Sequence, residues 1–132
     1  MFAAKTLMKT KLITVNQNSS IYEAIRLLVK KNITGLPVVD DDGMLVGIVS
    51  EKDMLRLLYN IEDKSGAVRD FMTQDVVCFN EDDSLIDIAE SFIANHFRRV
   101  PIVRGNKLIG IISRRDIVEY IMKLRHKDPV SV

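Results

Sequence analysis

Gly47-Ile48-Val49-Ser50-Glu51-Lys52-Asp53 returns 63 residues later as Gly110-Ile111-Ile112-Ser113-Arg114-Arg115-Asp116. Upstream of each copy stands a second matched run, Leu36-Pro37-Val38-Val39 and Val100-Pro101-Ile102-Val103, at an offset of 64. The one-residue difference falls in the intervening turns, Asp40-Asp41-Asp42-Gly43 against Arg104-Gly105-Asn106-Lys107. Outward from there Lys5-Thr6-Leu7-Met8 lies over Arg69-Asp70-Phe71-Met72, Leu12-Ile13 over Val76-Val77, and Ser20-Ile21 over Ser84-Leu85. A chain that matches itself over nearly its whole length is a tandem repeat.

Each copy parses as β-α-β-β-α. Ser20 with Glu23, and Ser84 with Asp87, are spaced as capping boxes. Ile21, Ala24, Ile25, Leu28 and Val29 then follow at helical spacing, as do Leu85, Ile88, Ala89, Phe92 and Ile93. The apolar runs from Leu36 and Leu45 flank a glycine-containing turn and predict a hairpin, and a second helix is expected from Ser50 through Met54, Leu55, Leu57 and Leu58. One such unit is too small to cover both helices, so the expected fold is α+β, two repeats packed sheet to sheet about an approximate two-fold axis. The expected bounds are 4–61 for the first repeat, 62–71 for a linker, 72–124 for the second repeat and 125–132 for a tail.

Composition narrows the function. Of 132 residues 47% are hydrophobic and 28% charged, which excludes a disordered or low-complexity chain. The formal charge of +1 gives no electrostatic case for nucleic acid as a partner. No apolar run reaches the roughly 18 residues of a membrane span, so a cytoplasmic protein without a membrane partner is expected. Cys78 is the single cysteine, expected as a small buried residue in a reducing compartment. His96 and His126 have no ligands at metal spacing, and no nucleophile-base pair or phosphate loop occurs. Neither an enzyme nor a metal site is expected.

The recurring chemistry is S-x-x-D at a strand-to-helix junction, Ser50/Asp53 and Ser113/Asp116. A serine at the N-cap with an acid three residues on needs no ligand to explain it. Yet the junction also carries the free N–H groups of a helix start, which favour an anion, and an aspartate that accepts well from a ribose diol. That combination suits a nucleotide. Charge is segregated too: six acids and no Lys or Arg lie from Asp75 to Glu90, and six basic residues and no acid from Arg98 to Arg115.

The paired copies, with the fuller opening Val68-Arg69-Asp70-Phe71-Met72-Thr73, the run Gly35-Leu36-Pro37-Val38-Val39-Asp40 and the closing Gly47-Ile48-Val49-Ser50-x-x-Asp53, resemble a tandem pair of cystathionine β-synthase (CBS) domains, a Bateman module. The resemblance implies a stand-alone regulatory, energy-sensing module that binds adenine nucleotides in clefts between its repeats and signals to a separate effector protein. It implies AMP, ADP or ATP as ligand, with S-adenosylmethionine as a further candidate, and no prosthetic group. One cleft would join Ser50 and Asp53 to Val76, Val77, Phe97 and Arg99, and the other Ser113 and Asp116 to Leu12, Ile13, Ile33 and Thr34. Arg69 and Arg99 would meet phosphate at Asp53, whereas Lys5 and Arg98 would serve Asp116. The resemblance also implies a homodimer through the second helices, with Leu57, Tyr120 and Leu124 near the interface. The alternative is a structural interaction module with empty clefts, in which both S-x-x-D pairs only cap helices.

Overall fold

The computed structural model describes residues 2–60 and 66–126. In chain order it contains α1 (Ala4–Leu7), β1 (Val15–Asn16), α2 (Ile21–Lys31), β2 (Gly35–Val39), β3 (Leu45–Ser50), α3 (Glu51–Met54), β4 (Phe79–Asn80), α4 (Leu85–Ala94), β5 (Arg99–Arg104), β6 (Lys107–Ser113) and α5 (Arg114–His126), with 3-10 turns at Leu55–Asn60 and Val68–Asp70. Two three-stranded sheets result, β1-β2-β3 and β4-β5-β6. The α+β architecture of two β-α-β-β-α copies is therefore present.

The described residues form two compact units that are not contiguous in sequence. Ile13–Val76 and Asn106–Leu108 make the first, while the segment up to Leu12, Val77–Gly105 and the chain from Ile109 make the second. In the first unit β1 runs parallel to β2, and β2 is antiparallel to β3 with Pro37 opposite Ile48. Proline has no N–H to give a ladder. Ile48 instead turns its N–H and C=O away from β2 and exchanges both bonds with Thr73, at 2.9 and 2.8 Å. Leu36, Val38 and Val49 join Val15, Ile21, Ala24 and Leu28 in the core beneath α2. Val68, fully buried, belongs to that core too, so part of the expected linker is core. Residues 62–65 of that linker and the tail beyond His126 lie outside the described residues.

The second unit repeats the scheme with a borrowed segment. Ala4 is fully buried with Ile88, Phe92, Val100, Ile102 and Ile112. Its N–H donates to Asp83 C=O at 2.8 Å, that of Lys5 to Glu81 C=O at 2.9 Å, and Lys9 exchanges two bonds with Ile111, at 2.9 and 3.0 Å. Phe2 sets its ring edge-on to Tyr120 with centroids 5.7 Å apart. Glu81 takes the Arg104 guanidinium, which holds its carboxyl below the usual range. A lowered folded pKa contributes stability at neutral pH that is lost as pH falls through the folded value.

Local details depart from the sequence reading. Beyond Met54 the expected helix tightens into 3-10 turns. Ser20 and Ser84 do cap α2 and α4, accepting from Tyr22 and Ile86 N–H, but Glu23 turns to Arg26 instead of back to the cap. Cys78 is exposed, not buried, and partial desolvation, with Asp83 adding, raises its thiol pKa. Leu57 and Tyr120 pack on their own cores. The exposed apolar side chains near them are Leu55, Leu58 and Tyr59, and Val118, Ile121, Met122 and Leu124.

Candidate functional site

Each S-x-x-D sits where a strand hands over directly to a helix, β3 to α3 and β6 to α5. Both aspartates are more than nine-tenths buried. In the first unit the Ser50 N–H donates to Asp53 Oδ2 at 2.8 Å and the Ser50 hydroxyl to the same oxygen at 3.0 Å. In the second the Ser113 N–H donates to Asp116 Oδ2 at 2.9 Å, and the Asp116 N–H to Ser113 Oγ at 3.0 Å. One carboxylate oxygen is thus committed to the helix start. The other, Oδ1, faces an exposed cation: Arg56 at 3.3 Å from Asp53 and Lys9 at 3.1 Å from Asp116. A carboxylate oxygen has more than one lone pair, so Oδ1 can accept a hydroxyl donor beside its cation without disturbing the cap on Oδ2.

The backbone ties each junction to the residue before the hairpin. Glu51 N–H donates to Thr34 C=O and Arg114 N–H to Arg98 C=O, both at 3.0 Å. Thr34 is thereby brought to the start of α3, and Arg98 to the start of α5. Arg98 and Arg99 are exposed and have no ion-pair partner among the described residues. Phe97 packs edge-on against Phe92. Arg69 donates to Asn18 Oδ1. Lys5 pairs with Asp82 at 2.9 Å, which raises its pKa. Ile33 packs against the first core, Val76 is half-buried, and Ile13 and Val77 are exposed.

Three residues escaped the sequence reading. Arg56 was legible, three residues past Asp53 on a helical turn. Lys9 was not, because only the bridge to Ile111 brings it to Asp116. Arg114 donates to the carbonyls of Phe92 (3.3 Å), Asn95 (2.8 Å) and Phe97 (3.0 Å), so it caps the C-terminal end of α4, where a cation also suits the helix dipole. Arg114→Ala is expected to cost about 1 kcal/mol in denaturant unfolding. The counterpart change Glu51→Ala should cost less than half of that. A larger loss at Glu51 than at Arg114 would contradict the capping role.

Two three-stranded sheets and two like strand-to-helix junctions make each half of the chain a copy of the other. A profile of the CBS domain family matches residues 4–60 and again 68–123. The chain belongs to the CBS domain family. Among solved structures, this CBS pair superposes on CBSX2 of Arabidopsis thaliana in complex with AMP with a TM-score of 0.85, at 34% identity, over 95% of this chain and 99% of that one. The CBS domain pair of protein MJ0100, in complex with 5′-methylthioadenosine and S-adenosyl-L-methionine, gives 0.78 at 29% identity, over 94% and 98%. In sequence the CBS pair is 44% identical over 108 residues to inosine-5′-monophosphate dehydrogenase of Methanocaldococcus jannaschii, covering 81% of this chain and 21% of that enzyme. The CBS pair spans only 42%, 21% and 36% of the length of three curated relatives it matches. Among the described residues no three His, Cys, Asp or Glu side chains are grouped to hold a metal, and no helix is long and apolar enough to cross a membrane.

Proposed function

We propose that this CBS pair is a regulatory, non-enzymatic module that binds an adenine nucleotide and passes its occupancy to a separate effector protein. The observation that carries the reading is the divided carboxylate of Asp53 and Asp116, with Oδ2 spent on the cap and Oδ1 available to ribose hydroxyls. Arg69, Arg98 and Arg99 supply cationic contacts for phosphate, with Arg98 and Arg99 exposed and unpaired among the described residues. AMP bound to CBSX2 and S-adenosyl-L-methionine bound to the MJ0100 pair support an adenosine ligand over other nucleotides. Because a partner's effect on nucleotide affinity must equal the nucleotide's effect on the partner, energy sensing through AMP, ADP or ATP requires only that one state dock better.

The complete caps also favour a second reading, a structural module in which the aspartates hold helices only. A thermal-shift series separates the two, since a ligand raises the melting temperature only where it binds the folded state. AMP is expected to stabilise the chain and 2′-deoxy-AMP to do so at roughly ten- to a hundred-fold higher concentration, because a charge-assisted hydrogen bond contributes about 1.5–3 kcal/mol. Equal shifts from the two ligands would remove the ribose role from both aspartates.

Assembly is part of the proposal. Leu55, Leu58 and Tyr59 after α3, and Val118, Ile121 and Met122 on α5, leave more apolar surface exposed than isolated surface residues account for. Two copies meeting through these second helices would cover it, and a closed pair is the commonest symmetric assembly. Sedimentation at micromolar concentration should therefore report twice the 15.0 kDa chain mass, and Leu58→Lys with Ile121→Lys should return it to one. A single 15.0 kDa species for the unaltered chain would count against the dimer. The single thiol, Cys78, agrees with a reducing, cytoplasmic setting.

A further inference from the structure

The two S-x-x-D sites are built alike but draw their cation from different places. Asp53 is faced by Arg56 from the 3-10 turn that follows α3. The corresponding position in the second repeat is Glu119, which pairs with Arg115 at 3.4 Å and brings no cation to Asp116. Lys9 fills the role from the segment up to Leu12, which packs in the same unit as the second repeat. Its backbone is fixed by both hydrogen bonds to Ile111, whereas its side chain is two-thirds exposed and ends on Asp116 Oδ1. Thr73 holds the matching place in the first unit, with the same two backbone bonds, to Ile48, and no charge.

We propose that Lys9 is the specificity-determining residue of the Asp116 site, making it select a nucleoside that carries a 5′-phosphate over the neutral nucleoside. The inference rests on the reading that Asp116 Oδ1 accepts ribose hydroxyls. Once those hydroxyls donate to Oδ1, the ammonium shares the one counter-charge it has among the described residues and loses part of its water. A neutral nucleoside offers nothing in return. A 5′-phosphate, across the sugar ring from the hydroxyls and within the sweep of a lysine side chain, restores a full negative partner through a charge-assisted hydrogen bond.

The test is calorimetry with AMP and with adenosine on the full chain carrying Asp53→Asn, so that the Asp116 site alone reports. Adding Lys9→Thr, the residue the other repeat uses, should lower the AMP-over-adenosine preference roughly five- to tenfold by weakening AMP, and Lys9→Arg should retain it. A thermal melt of each variant confirms folding, which the matching Thr73 backbone leads us to expect. If Asp116→Asn abolishes binding while Lys9→Thr leaves the preference unchanged, the Lys9 role is overturned and the nucleotide reading stands. If Asp116→Asn changes no affinity, or AMP does not bind at all, both are overturned.

Discussion

Gly47→Ala is expected to destabilise the protein by about 2–3 kcal/mol, near the upper end for forcing volume into a packed site. A Cβ there would lie 2.7 Å from Met72 Sδ and 2.8 Å from Thr73 O. The sulfur can move, but the carbonyl is held by the Ile48 N–H at 2.9 Å, so relief costs a backbone bond. Gly110→Ala meets Met8 instead, with Sδ at 2.5 Å and the nearest other atoms all in that side chain. It should cost about 1 kcal/mol, and Met8→Ala should recover most of that, whereas Met72→Ala should recover little of the Gly47 loss. Melting temperatures of the four single variants and two doubles decide the matter. An unchanged melt for Gly47→Ala, or full rescue by Met72→Ala, would show that the Thr73 carbonyl does not limit the space.

Alanine and asparagine at Asp53 and Asp116 are expected to separate two roles that one carboxylate combines. Alanine strips the buried acceptor from the Ser50 or Ser113 N–H, which should cost about 1–2 kcal/mol of stability as well as the ligand. Asparagine keeps an oxygen for the cap but turns an amide donor toward the ribose side. Stability should then stay within about 0.5 kcal/mol of the parent, while AMP affinity falls roughly ten- to a hundred-fold. Retention of full AMP affinity by both asparagine variants would return the aspartates to a purely structural part.

The repeat, its strand-turn-helix order and both junctions were legible because they rest on local pattern doubled at one offset. Where the reading missed, distance or ambiguity was the reason. Met54, Leu55, Leu57 and Leu58 fit a three-residue turn as well as a 3.6-residue one over so short a run, so the tightening after Met54 left no mark in the spacing. Glu23 was placed in a cap by its distance from Ser20, but Arg26, equally near, competes for it. No periodic run constrains Cys78, and its exposure followed from nothing nearby. The opening methionines, Met8 and Met72, were visible as a repeated letter. Their reason, a side chain laid over a strand glycine, needs the structure.

The interleaving of the two units sets an order of events during synthesis. Val68 reaches the Ile21 core, and its N–H the Ser19 carbonyl, within one stretch of chain, so the first core can condense while the second repeat is still being made. The opening segment cannot. Ala4 waits for Asp83, Lys9 for Ile111 and Phe2 for Tyr120, all of which the ribosome delivers after the first core. Until then Phe2, Leu7 and Met8 are apolar groups without a home, the kind of surface a holding chaperone recognises. Contacts this distant along the chain also close slowly. The lysine that faces Asp116 therefore arrives after the arginine that faces Asp53, and a newborn chain completes one of its two acidic junctions before the other.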